Sequence, residues 1–248
     1  MSKKQQRNAP STKYVRIWGR HAVIAALANP EREIKKMWGT REALATIDVP
    51  SSLPITPSSP AEMAMMVAPG SPHQGLVIEA EPLPDRWLSD FLNQPQSDRR
   101  PILLLDQVTD PQNVGAILRS AAAFDAVAIV TQDRHSPPES GTIARAASGA
   151  LEIVPWVRVV NLSRALKELA EGDYWRIGLC GDARDTIGTA LTNVRPALVL
   201  GAEGAGMRHN TGAHCDQLAR LPISAKMESL NVSNAAAIAL YAAAQARG

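Results

Sequence analysis

Ala197-Leu198-Val199-Leu200-Gly201-Ala202-Glu203-Gly204-Ala205-Gly206 decides how this chain is read. Apolar residues run straight into a cluster of glycines, the pattern of a buried strand that ends in a sharp turn. A nucleotide site suggests itself, but the glycines are spaced G-x-x-G-x-G. The dinucleotide fingerprint needs G-x-G-x-x-G, opens a helix and lies in an early βαβ unit, so the Rossmann reading is rejected. What remains is a turn whose backbone N–H groups are free to meet a ligand. Its one acid, Glu203, sits at a strand end, where α/β sites gather. An ordinary tight turn is the plain alternative.

Downstream, Leu221-Pro222-Ile223 reads as a buried strand end, followed by the polar run Ser229-Leu230-Asn231-Val232-Ser233-Asn234 and an alanine-rich helix over residues 235–246. Ser229 and Asn231 alternate with Leu230, so in an extended loop both polar groups face one way. Capping of the helix by Ser233 would account for one polar residue, not for the whole run. Upstream, strand and helix patterns alternate: strands at 102–105, 127–130, 153–157, 177–179 and 197–200, helices at 111–124, 142–147 and 162–170, the last ended by Gly172. That alternation predicts an α/β domain built on a largely parallel sheet.

In the first of these helices Asp110 is placed to cap and Pro111 suits the first turn, while Val114, Ile117, Leu118, Ala121 and Ala122 form the buried stripe. Asn113 and Arg119 fall off that stripe, about a third of a turn apart, and are able to flank one bound group. Gly115 between them admits either a ligand or a neighbouring helix. A solvated surface residue is the bland reading of Arg119.

The N-terminal part has another character. Helix spacing over residues 20–27, a short strand at 34–38, a capping-box helix start at Ser59, Pro60 and Glu62 running through Val67, and a strand at 76–78 make a compact α+β module. His73 and Gln74 lie in the turn before Gly75, where they serve either a partner or their own loop. Residues 81–101, framed by Pro82, Pro84, Pro95 and Pro101, read as a linker carrying a small docking patch of Trp87, Leu88, Phe91 and Leu92. Lys3, Lys4, Arg7, Lys13, Arg16 and Arg20 all precede the first acid, Glu31, although the net charge of the 248 residues is only +2. This basic tail, residues 1–13, is either a solvated end or an arm for a polyanion.

Some classes are set aside by composition. Two cysteines, Cys180 and Cys215, show neither metal-ligand spacing nor a disulfide framework, which fits a reducing cytoplasm. No apolar run approaches the ~20 residues that span a bilayer, and no signal-peptide core is present. No metal and no membrane partner are expected.

Taken together, Asp110-Pro111-Gln112-Asn113-Val114-Gly115 through Arg119-Ser120-Ala121, then residues 200–207, then Leu221-Pro222-Ile223 with Ser229-Leu230-Asn231-Val232-Ser233, closely resemble the three motifs of the SpoU/TrmH family of RNA ribose 2′-O-methyltransferases. Trp18-Gly19-Arg20-His21-Ala22-Val23 and His73-Gln74-Gly75 look like the N-terminal domain of its RlmB-type members, which modify a guanosine of large-subunit ribosomal RNA. The resemblance implies an RNA-binding domain over residues 14–80, similar to a small ribosomal protein, and a SPOUT-type methyltransferase domain over 102–248. That domain would carry a deep trefoil knot, bind S-adenosylmethionine and form a homodimer. Topology rules alone would have led away from a knot.

By the same resemblance, Leu200, Gly201, Leu221, Ile223, Ser229, Leu230 and Asn231 cradle the cofactor, and Asn113, Arg119, Glu203, Ser229 and Asn231 are the catalytic and positioning set. Three positions depart from the family pattern: Ala225 for glycine, Ile223 for methionine and Asn234 for valine. The first is expected to tighten or shift the cofactor loop. Arg119 is the family's proposed base, yet a guanidinium stays protonated and is better suited to clamping a phosphate or stabilising the ribose oxyanion. A transfer-RNA enzyme of the same chemistry and a non-catalytic RNA-binding protein are the competing readings; the joint presence of Asn113, Arg119, Glu203, Ser229 and Asn231 disfavours the second.

Overall fold

The computed structural model describes residues 14–95 and 97–247, so the basic tail lies outside the described residues. Two sheets organise them. The smaller has β1 (Val15–Trp18), β2 (Ile34–Gly39), β3 (Ile55–Pro57) and β4 (Leu76–Ala80) in the order β1-β4-β2-β3, with helices α1 (Arg20–Ala28), α2 (Arg41–Leu44) and α3 (Pro60–Ala64). After a short helix α4 (Ser89–Leu92) come β5 (Ile102–Asp106), α5 (Pro111–Ala123), β6 (Ala128–Gln132), α6 (Gly141–Ala147), β7 (Trp156–Val159), α7 (Leu162–Glu171) and β8 (Trp175–Leu179). The chain closes with β9 (Asp185–Thr186), α8 (Ile187–Ala190), β10 (Pro196–Gly201), α9 (His209–Gly212), β11 (Gln217–Arg220) and α10 (Val232–Arg247).

The larger sheet is parallel throughout, in the order β7-β6-β5-β10-β8-β11-β9. Its strands are buried on both faces because successive side chains alternate. Leu103 and Leu105 join the core under α5, α6 and α10, whereas Ile102 and Leu104 join the core under α7. Leu88 and, less deeply, Phe91 and Leu92 pack into that second core, so the proline-framed connection docks on the sheet as its apolar pattern suggests.

The two sheets share one core. Val15, Ile17, Val23, Met37 and Ile78 of the small sheet and its helix are continuous with Ile143, Ala144 and Ala147 of α6. Contact is close enough to dictate glycine: a Cβ on Gly141 would lie 1.9 Å from Trp18 Cζ3 and 2.2 Å from the Arg16 carbonyl oxygen. Beside this seam the fully buried side chain of Arg32 meets Glu139 Oε1 at 2.5 Å and Glu152 Oε1 at 2.6 Å. Burial works against its charge, but the hydrogen bond to Glu152 and the field of both carboxylates hold the guanidinium above its ordinary range. Asn29 Nδ2 also donates to Glu152, and the Leu83 N–H to Glu139.

The turn residues His73 and Gln74 serve their own surroundings. The Gly75 N–H donates to His73 Nδ1 at 3.1 Å, and Gln74 Oε1 accepts from the Arg20 N–H at 3.0 Å, capping α1, whose preceding Gly19 has no side chain to do so. The sequence elements Trp18-Gly19-Arg20 and His73-Gln74-Gly75 are thus each other's partners. Three expectations need correction. Helix α3 stops at Ala64 rather than Val67, β7 begins at Trp156 because a 3₁₀ turn over Ala150–Glu152 precedes it, and Leu221-Pro222-Ile223 is no strand. The strand there is Gln217–Arg220, whose exposed Arg220 and half-buried Gln217 hide the apolar signal.

Both cysteines are free, and burial pushes the Cys215 thiol up to about 11. No helix among the described residues is long and apolar enough to cross a membrane. The Arg32→Ala variant strands two shielded carboxylates at the seam and is expected to lose about 3–5 kcal/mol of stability, read by denaturant unfolding; a loss under ~1 kcal/mol would show that the seam does not depend on this ion group.

Candidate active site

Three segments far apart in sequence meet at the carboxyl edge of the large sheet. First is the N-terminus of α5, where Asp110 accepts a hydrogen bond from the Gln112 N–H at 3.0 Å and Pro111 occupies the first turn. Asn113 follows, half-buried, on the face away from the Val114, Ile117, Leu118 stripe. Gly115 serves packing: its Cβ would lie 2.5 Å from Ala146 Cβ and 2.7 Å from the Ile143 carbonyl, so it seats α5 on α6.

Second is the glycine turn. Ala202 and Gly206 exchange backbone hydrogen bonds of 3.1 and 2.9 Å, folding the chain back over Gly201, where a Cβ would fall 2.0 Å from the Gly206 carbonyl carbon. Gly204 and Gly206 have φ of 74° and 66°, the left-handed region glycine occupies without strain. This carries Glu203 out over the strand end.

Third is the start of α10. Asn231 Oδ1 accepts from the Ser233 N–H at 2.9 Å and the Asn234 N–H at 3.4 Å, so the helix is capped by Asn231 rather than by Ser233. The Ser233 hydroxyl donates to the same oxygen.

The three segments are joined by one carboxylate oxygen. Glu203 Oε1 accepts from Asn113 Nδ2 at 3.1 Å, from Asn231 Nδ2 at 2.5 Å and from the Val232 N–H at 3.3 Å, while Asn231 Nδ2 also donates to Asn113 Oδ1 at 3.0 Å. No bond within the described residues uses Glu203 Oε2, which leaves it to accept from a ligand hydroxyl or ammonium group.

Arg119 and Ser229 are not brought into this group. Both are exposed and neither side chain makes a hydrogen bond or ion pair among the described residues. On α5, Arg119 lies six residues past Asn113, about 9 Å along the axis. Beyond β11, residues 222–229 are exposed, with Ile223 38% and Met227 60% accessible, and Leu221 and Leu230 are half-buried. The main-chain N–H groups of Ser229 and Leu230 take no partner among the described residues. Apolar side chains beside uncommitted amides suit a flat heteroaromatic ring that also needs hydrogen bonds. Ala225 does not lie at positive φ, so the loop accepts its Cβ without backbone strain. Asn234 is exposed, where a polar residue is at home. Leu200 and Gly201 end β10 under the turn.

A carboxylate passed over in the sequence completes the geometry. Asp106, 0% exposed at the end of β5, lies beside Gly201 and accepts from the Arg208 N–H at 3.0 Å and from Arg208 Nε at 2.8 Å, while Arg208 Nη2 donates to Gln132 Oε1 at 2.6 Å. An acid directly after the apolar run Ile102-Leu103-Leu104-Leu105 was the available signal. Because Asn231 and Glu203 share a bond, the Asn231→Ala and Glu203→Ala changes are expected to be non-additive, with a coupling of about 1 kcal/mol in thermal or denaturant unfolding; additivity within ~0.3 kcal/mol would dissolve the shared network.

Comparison with known proteins gives the family of both domains. Residues 100–241 match the SpoU rRNA Methylase family, and residues 16–86 match the RNA 2′-O ribose methyltransferase substrate binding family. Among relatives, a 23S rRNA (guanosine-2′-O-)-methyltransferase RlmB of Vibrio parahaemolyticus is 37% identical over 240 residues, covering 93% of this chain and 96% of that one. Its counterpart from Pseudomonas putida is 34% identical over 242 residues, covering 94% and 96%. Among solved structures, the SpoU methyltransferase AviRb from Streptomyces viridochromogenes in complex with AdoMet superposes with a TM-score of 0.78 at 21% identity, covering 95% of this chain and 91% of that one. An AdoMet-bound rRNA methyltransferase from Sinorhizobium meliloti gives 0.79 at 22% identity, covering 94% and 88%. These two likenesses concern the fold. With a family match over more than half of its length, the chain belongs to the SpoU rRNA methylase family.

Proposed function

We propose that this protein transfers a methyl group from S-adenosylmethionine to the ribose 2′-hydroxyl of a guanosine in 23S ribosomal RNA. The observation that carries the reading is the shared oxygen of Glu203: residues from all three sequence motifs, Asn113, Glu203 and Asn231, form one hydrogen-bonded group at the strand ends. The target is supported by relatives of 34–37% identity that span 93–94% of the chain and carry that activity in their names. The segment 221–230, with Leu200 and Gly201 behind it, has the apolar surfaces and free amides to hold the adenosine and methionine parts of the cofactor.

The cofactor, when bound, supplies a methyl group on a sulfonium that is already primed to leave. The protein's task is therefore alignment and charge management, and alignment alone is worth ~7 kcal/mol or more. Glu203 Oε2 is an acceptor for an amino or hydroxyl group of the reactants, held in place through its other oxygen. Ser229, exposed and uncommitted on the loop between β11 and α10, is the group we assign to the ribose. Arg119, about 9 Å along α5 from Asn113, stands at a distance suited to a phosphate neighbouring the target ribose. Its guanidinium stays protonated, so it stabilises charge rather than removing the proton, which leaves to a phosphate oxygen or to water.

The same reading places a trefoil knot in residues 102–248, supported by the return of the chain from β11 across the end of β10 to α10. It gives residues 14–80 the role of an RNA-binding domain similar to a small ribosomal protein, supported by the substrate-binding family match. Ile238 and Tyr241, 42% and 53% exposed one turn apart on α10, supply apolar surface for a homodimer. A cytoplasmic setting follows from the substrate.

Calorimetry is expected to show binding of S-adenosylmethionine by the purified protein; no heat at millimolar cofactor would overturn the enzyme reading. Loss of the gene is expected to remove one 2′-O-methylguanosine from 23S ribosomal RNA, and loss of a transfer-RNA site instead would redirect the assignment. Arg119→Lys is expected to lower kcat about 10²-fold with little change in cofactor affinity, since an ammonium cannot reproduce the planar fork; an unimpaired rate would count against the clamp.

A further inference from the structure

Residues 201–206 are the loosest stretch of the site by composition, with glycines at 201, 204 and 206. Around Gly204 and Gly206 nothing lies within 4 Å of where a Cβ would stand, so the turn is held by the Ala202–Gly206 backbone pair and by Gly206 against Gly201 rather than by side chains packed over its tip. A turn of this kind has much conformational freedom to lose on ordering. Yet it must hold Glu203 against Asn113 and Asn231, and keep the end of β10 in register beside the exposed loop 222–229. The tip is anchored through the Glu203 side chain. The base is closed by the Ala202–Gly206 pair and tied to the neighbouring strands by Arg208.

Arg208 closes the turn on two strands at once. Its N–H and Nε donate to opposite oxygens of Asp106 at the end of β5, and Nη2 lies 2.7 Å from Asp106 Oδ1 and 2.6 Å from Gln132 Oε1 at the end of β6. Asp106 is 0% exposed and Gln132 6%, whereas the Arg208 side chain keeps 39% of its surface accessible. The planar guanidinium thus spans the carboxyl ends of two neighbouring parallel strands and ties the residue after Met207 to a backbone position directly beside Gly201. The side chain meets Oδ1 of the desolvated carboxylate and the main-chain N–H takes Oδ2, so one residue engages both acceptor oxygens, and a hydrogen bond to an ionised acceptor is the strong form of the contact.

We propose that Arg208, fixed by Asp106 and Gln132, is a positioning residue for methyl transfer: it holds the glycine turn in the shape that binds the cofactor and presents Glu203. This rests on the methyl-transfer reading. Cofactor binding by the unaltered protein tests that reading separately, so the two can fail independently.

The test compares Arg208→Lys, Gln132→Leu and the double variant Asp106→Asn/Arg208→Ala with the unaltered protein. Thermal midpoint, the dissociation constant for S-adenosylmethionine, and KM and kcat on the RNA substrate are read for each. Removing Arg208 alone would strand a buried carboxylate and risk unfolding, which is why the double variant removes both charges. Positioning predicts that Gln132→Leu weakens cofactor binding several-fold and the double variant about tenfold or more, with the KM for RNA little changed, and that Arg208→Lys recovers only part of the loss. A purely charge-balancing role predicts that the double variant and Arg208→Lys bind cofactor as the unaltered protein does. That result, or an unchanged dissociation constant in Gln132→Leu with a normal thermal midpoint, would overturn the proposal.

Discussion

Three donors converge on Glu203 Oε1, and the active end of this molecule depends on that convergence. The donors come from the starts of two helices separated by more than a hundred residues, α5 and α10, and the acceptor from the turn after β10. Helix starts expose N–H groups without internal partners, and a carboxylate there relieves them and complements the helix dipole. One oxygen therefore caps α10 at Val232, orients Asn231 and holds Asn113, while the second takes no partner among the described residues. The bond network sets a shape and leaves one acceptor uncommitted.

That arrangement needs a firm base, and the sheet supplies it. β10 lies between β5 and β8, so the strand end carrying the glycine turn is flanked on both sides. Asp106 and Gln132 at the ends of β5 and β6 grip Arg208 just beyond the turn. A flexible stretch thus hangs between two fixed ends. By contrast Arg119 and the residues 222–229 are left open to solvent.

The small sheet is built into the same body. Its core merges with that of α6, Gly141 admits Trp18 where no Cβ would fit, and Arg32 shares its charge with Glu139 and Glu152 across the seam. An RNA held on the small sheet would therefore be presented to the strand ends at a set distance rather than on a loose tether.

Local pattern alone made much of this legible. Apolar strands alternating with amphipathic helices marked the parallel sheet and the Ser59-Pro60-Glu62 box marked α3, whereas Asn113, Glu203 and Asn231 were grouped only by the resemblance to the family's motifs. The first two signals are carried by residues adjacent in the chain, where period and capping chemistry act. Strand β11 escaped because it is four residues long with polar Gln217 and Arg220 at its ends, and Asp106 escaped because a carboxylate after an apolar run looks like a loop residue until its arginine is seen. Tertiary structure alone decided that Gly115 packs helices, that Gln74 caps α1, that Asn231 rather than Ser233 caps α10, and that Arg119 stands apart from the trio. The physical reason is that Gly115 and Gln74 act on distant partners, Asn231 is turned to cap its helix by bonds to Asn113 and Glu203, and the place of Arg119 depends on how α5 meets the other segments; no periodicity within a segment encodes these relations.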